Sequence, residues 1–149
     1  MASSLTITAS TVDPGLLALP WSTPLAQWPS SVIVSLPKGL SRHLVRFAVL
    51  SGGVVAVKET TEEMARREYE MLGNLTRLAV PCVDRAAVIA GRSDASGKPL
   101  PAALVTTHLK FSLPYRALFQ QVLRPDTATR LVDALAVLLV RLHNVGFFW

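Results

Sequence analysis

The sequence predicts an α+β domain built on a five-stranded antiparallel sheet with one inserted helix, followed by helices. Three observations carry this. Short β-branched runs crowd together between residues 31 and 58. The apolar period then changes to that of a helix up to Leu75. Two more strand-like runs follow, and everything after them reads as helix. Strands grouped around one helix, with further helices gathered at the end, argue α+β rather than alternating α/β.

Residues 1–30 are rich in Ser, Thr and Pro and carry Trp21 and Trp28. They read as an extended N-terminal arm with one short turn at 15–19, pinned to the domain by its tryptophans. Residues 31–36 (SVIVSL), 43–50 (HLVRFAVL) and 54–58 (VVAVK) read as a three-stranded meander. A tight turn at Ser51, Gly52 and Gly53 joins the last two. Thr60 and Glu63 have the spacing of a capping box, and the helix they open runs to about Leu75. Its apolar stripe is Met64, Met71, Leu72 and Leu75. Glu68 falls inside that stripe, whereas Glu62, Glu63 and Glu70 fall outside it.

Past Pro81, residues 85–90 (RAAVIA) and 102–109 (AALVTTHL) are strands, joined by the polar loop 91–101. Residues 114–123 form a short helix. A longer helix runs from a cap at Asp126 or Thr127 to about Asn144, with Gly146 just past its end. It should bury Leu131, Leu135, Leu138, Leu139 and Leu142.

Composition bounds the function. Of 149 residues, 50% are hydrophobic and 17% charged, which excludes a disordered chain. The net charge of +5 suits an anionic partner, but the arginines are scattered and no basic run stands out, so nucleic acid is not the expected partner. Cys82 is the sole cysteine, which excludes an intrachain disulfide and a cysteine-built metal site and fits a reducing, cytoplasmic setting. No signal peptide is legible at the N-terminus. The longest strongly apolar run, 134–140, is far too short for a membrane span.

An inward-facing Glu68 needs a cation, because an unpaired buried charge is costly. Lys58, at the end of the preceding strand, is the nearest in sequence. It alternates with Ala56 and Val54 on one face, while Val55 and Val57 take the other. A Lys58–Glu68 ion pair between sheet and helix follows. The other chemistry-bearing residues read as structural. Glu62 and Glu63 suit a first helical turn. His43, His108 and His143 are isolated from one another in sequence, and no metal site is expected.

In this setting Val55-Ala56-Val57-Lys58 resembles the V-A-I-K strand of protein-kinase-like enzymes. Arg67-Glu68-Tyr69-Glu70-Met71-Leu72 is similar to the helix that carries the pairing Glu of that family. Residues 104–109 resemble the strand that leads into its interlobe hinge, and 142–149 the L-H-x-x-G run of its first long lower-lobe helix. Among kinase-like families, the compact linkers look most like bacterial lipopolysaccharide kinase-like proteins.

The resemblance implies a kinase-like N-lobe over 31–109 and, over 110–149, a hinge with the first helices of an incomplete C-lobe. It implies ATP, with magnesium, as cofactor. Lys58 would hold the α- and β-phosphates and Glu68 would orient it. Ala56 would line the adenine pocket, the backbone of Thr107, His108 and Leu109 would meet the adenine edge, and the turn 37–42 with Gly39 would cover the phosphates. Only one glycine stands in that turn. The catalytic and metal-binding residues of the family would lie past Trp149, so no catalytic residue is assigned here and the chain by itself is expected to be inactive. A pseudokinase-like regulatory or partner-binding module is the alternative.

Overall fold

A computed structural model describes residues 4–36, 41–110 and 112–148. The elements are β1 (Thr6–Thr8), α1 (Pro14–Leu17), a 3-10 turn (Leu25–Gln27), β2 (Ile33–Val34), β3 (Val45–Leu50), β4 (Gly53–Thr60), α2 (Glu62–Arg77), β5 (Arg85–Ala90), β6 (Ala102–Thr107), α3 (Tyr115–Phe119) and α4 (Pro125–Asn144). The fold is α+β around one antiparallel sheet, but that sheet has six strands in the order β1-β5-β6-β4-β3-β2, not five.

The added strand comes from the segment expected to be an extended arm. β1 pairs antiparallel with β5, Thr6 opposite Ala90. Three residues of mixed Thr and Ile are too short to register as a periodic pattern, so only the waiting edge of β5 identifies them as a strand. The rest of the arm lies across one face of the sheet. Leu16, Leu19, Trp21, Leu25 and Trp28 form a common buried cluster with sheet residues such as Val55, Val57, Ile89 and Val105. The two indoles meet edge to face, centroids 5.1 Å apart. Each indole N–H finds a local carbonyl: Trp21 Nε1 donates to Leu16 O at 2.6 Å and Trp28 Nε1 to Thr23 O at 3.1 Å. The tryptophans therefore pin the arm as expected, and they do it as core residues.

The β3–β4 hairpin closes through Ser51 and Gly52. Gly53, at φ +136°, takes a conformation that a side chain disfavours. The turn sets the register, with Leu50 opposite Gly53, Phe47 opposite Ala56 and Val45 opposite Lys58. β4 then keeps pairing to its end, Thr60 opposite Ala102, so Thr61 is the first residue free to leave the sheet. For that reason Thr61, not Thr60, caps α2, its Oγ1 accepting from the Met64 amide at 3.2 Å.

α2 covers the second face of the sheet, and its buried side is rotated from the expected stripe. Ala65, Tyr69, Leu72 and Leu75 are buried, whereas Met64 and Met71 are exposed. Ala65 lets the helix approach Val88, Ala90, Ala102 and Leu104 closely, and Tyr69 joins the same cluster. The Tyr69 hydroxyl accepts from the Ser10 amide, and its ring lies 4.3 Å beneath the Arg85 guanidinium. A phenol with both a polar and an aromatic use is better satisfied inward than a thioether.

The helix ends in a paired reversal: the Val80 amide donates to Leu75 O and the Ala79 amide to Thr76 O. Ala79 sits at φ +55°, a left-handed conformation that costs a residue bearing Cβ. Ala79→Gly is expected to raise unfolding stability by about 1 kcal/mol in urea denaturation. A destabilised variant would refute this account of the cap.

The C-terminal part packs less than expected. α3 is shorter than the predicted 114–123. α4 starts with Pro125 in its first turn behind Arg124, rather than from a cap at Asp126 or Thr127. Of its five stripe leucines only Leu142 is buried, against Leu75 and Val80, with Leu138 half-buried beside it. Leu135 and Leu139 are exposed. The reason is geometric: only the last turns of α4 reach the end of α2. His143 stacks on the exposed Phe148.

In the β5–β6 loop, Asp94 accepts from the Ser96 side chain at 2.6 Å and from the Ser96 and Lys98 amides. The Ser96 hydroxyl bond first, then the Lys98 amide, hold its carboxyl below the ordinary value. A folded pKa below the unfolded one means a contribution that is full above the unfolded value and is lost as pH falls through the folded one. The stability gap between wild type and Asp94→Asn should therefore close on acidification below about pH 4. A gap that widens there would contradict it.

Candidate functional site

The second face of the sheet carries Ala56, Lys58 and Thr60 from β4 and Phe47 from β3. α2 covers only part of it, packing over β5 and β6. Lys58 stands opposite Val45 on one side and Leu104 on the other, so its side chain emerges beside the helix. Because α2 begins two residues after β4 ends, Glu68 lies in its second turn, directly over that strand. The expected pair is present: Lys58 Nζ donates to Glu68 Oε2. The side chains are 23% and 32% exposed. A pair this wet contributes on the order of 0–1 kcal/mol to stability. Its two remaining Nζ–H donors are available to a ligand.

The sheet edge next to this pair leaves one backbone donor. The Thr107 amide donates to Asp84 O and the His108 amide to Val54 O, both at 2.9 Å. Both residues are thus tied into the fold. Among the described residues the Leu109 amide donates to nothing, while the Leu109 carbonyl accepts from Ser112 Oγ. The His108 ring meets Phe47 edge to face at 5.1 Å. Ala56, opposite Phe47, is half-buried on the same face. Gly39 lies outside the described residues, as does most of the turn 37–42 expected to cover phosphates. Comparison with protein-family models, with curated proteins and with solved structures returned no match. The argument therefore rests on the residues themselves.

The structure brings together Lys58, Glu68 and Ala56, and sets Leu109 at the end of the neighbouring strand's exit. Phe47 was missed, although the hairpin register places it opposite Ala56 and counting back from the Ser51-Gly52 turn would have found it. Among the described residues no cluster of three or more His, Cys, Asp or Glu could hold a metal ion. Glu68, the carboxylate nearest Lys58 on this face, is engaged by it. A magnesium ion thus has no protein donor set here.

A second polar centre was not legible in the sequence. Arg92 is 1% exposed and sits between sheet and arm. Its Nη1 donates to Glu59 Oε1 at 2.8 Å and to Pro101 O, its Nε to Trp21 O, and its Nη2 to Thr23 O. Glu59 Oε1 also accepts from the Leu25 amide. Every partner but Pro101 is distant in sequence, so no local pattern could announce it. No helix among the described residues is long and apolar enough to cross a membrane.

Proposed function

We propose that this chain is the nucleotide-holding part of an ATP-dependent phosphotransferase of the kinase-like, lipopolysaccharide kinase-resembling kind. The observation that carries the reading is the Lys58–Glu68 pair itself, a strand lysine held by a helix carboxylate with spare donors at its tip. In this reading Lys58 holds the α- and β-phosphates, and Glu68 fixes the direction of its ammonium group. Ala56 and Phe47 form the floor under the base. The Leu109 amide meets the base edge, with Thr107 and His108 shaping that exit. ATP supplies the transferable phosphoryl group when bound, and its magnesium rides on the phosphates rather than on protein ligands. No residue is assigned to the transfer step. The reading places the chain in the cytoplasm, where ATP is abundant and Cys82 stays a thiol.

The test is a Mg-ATP titration of the chain, followed by thermal unfolding, with Lys58→Ala alongside. A concentration-dependent stabilisation that Lys58→Ala abolishes supports the reading. An equal shift in both proteins would refute the assignment of Lys58.

A further inference from the structure

We propose a second ligand site, at the β4–α2 junction, for a hydroxylated anion of the sugar-phosphate class. This inference is independent of the nucleotide reading. A cavity of about 700 Å³ opens there, walled by Leu44, Pro99, Leu100 and Pro101. Three polar groups line its floor: Glu59, Thr60 and Arg92.

Thr60 is 8% exposed, and its hydroxyl makes no hydrogen bond among the described residues. Yet no fully enclosed side-chain polar atom there lacks a partner. The Thr60 hydroxyl must therefore open into the cavity that the residue lines. Glu59 spends Oε1 on the Leu25 amide and on Arg92, and its Oε2 accepts nothing. Arg92 makes four bonds with its five N–H groups, leaving one on Nη2. A hydroxyl, a carboxylate oxygen and a guanidinium N–H side by side match ligand hydroxyls, which both donate and accept. The prolines and leucines suit the C–H face of a sugar ring.

The rim selects an anion. Arg42 and His43 are exposed there, and neither side chain has a carboxylate partner among the described residues. The first turn of α2 points the same way. Its Met64 amide is taken by Thr61, but the Glu62 and Glu63 amides have no intrahelical acceptor. Glu62 is itself paired with Arg66, which offsets its charge. A hydrocarbon would strand the floor groups, and a neutral sugar would leave the rim unused.

The probe is glucose 6-phosphate, titrated into the isotope-labelled chain and followed by amide shifts. Saturable shifts are expected at Leu44, Thr61, Glu62 and Leu100. Glucose and inorganic phosphate should each bind about tenfold more weakly, and Thr60→Val and Arg42→Ala should each lose about tenfold in affinity. Both variants should keep the wild-type unfolding transition. Lys58→Ala should bind the probe as wild type does, which separates this site from the nucleotide one. No saturable shift, shifts on another face, inorganic phosphate binding as tightly, or Thr60→Val binding as wild type would each overturn the proposal. Vesicles of phosphatidylcholine bearing a phosphoinositide, at matched headgroup concentration, distinguish the source. Tighter binding than the free probe assigns the site to a lipid headgroup, and no gain assigns it to a free sugar phosphate; either supports the site.

Discussion

Arg92→Met is expected to cost about 3–5 kcal/mol in urea denaturation. The loss is large because the side chain is fully buried and every bond it makes has a partner that cannot turn to water. Removing the guanidinium leaves the Glu59 carboxylate, 14% exposed, without its counter-charge. It also orphans the carbonyls of Trp21, Thr23 and Pro101. Against a total stability of roughly 5–15 kcal/mol for a domain of ordinary size, this is a large share. Adding Glu59→Gln to Arg92→Met should recover part of the loss, because the stranded charge goes while the orphaned carbonyls remain. An Arg92→Met variant within about 1 kcal/mol of wild type would mean that the tryptophans hold the arm without it.

Lys58→Ala is expected to do the opposite: little to stability, everything to ATP. The pair is a quarter to a third exposed, so its removal should change unfolding by no more than about 1 kcal/mol. In wild type, ATP at a hundredfold excess over its Kd should add about 2.7 kcal/mol, and in Lys58→Ala that gain should vanish. Glu68→Gln should keep a weakened gain, because the amide still accepts a hydrogen bond but no longer holds the ammonium by charge. This graded order separates a positioning role for Glu68 from a structural one. Equal losses of folding stability with no change in ATP response would reduce the pair to an ordinary surface contact.

Much of the site was legible because it is local. Lys58 and Glu68 are ten residues apart, on a strand and the helix that directly follows it. Strand alternation sets the face of Lys58, helical periodicity sets that of Glu68, and the short connection leaves them little freedom to miss each other. The strands 85–90 and 102–107 were legible for the same reason, as apolar runs bounded by turn residues. Where local pattern was ambiguous, the reading erred by rotation. Met64 and Tyr69 compete for the inner face of α2, and only the presence of Ser10 and Arg85 beside that face decides for tyrosine.

What the sequence determined by itself was the α+β class, the order of the main elements, the turn at Ser51-Gly52 and the pairing of Lys58 with Glu68. Each follows from propensity and periodicity acting over a few residues. Only the tertiary structure decided that the N-terminal arm becomes a sixth strand and a cover for the sheet. It also decided that Arg92 and Glu59 fasten that cover, that the cap of α2 moves to Thr61, and that the junction cavity carries an unpartnered Thr60. The physical reason is common to all four. Edge pairing, buried-charge compensation and helix start depend on groups brought from far along the chain. Their energies enter only when the sheet is assembled, so no window of sequence contains them.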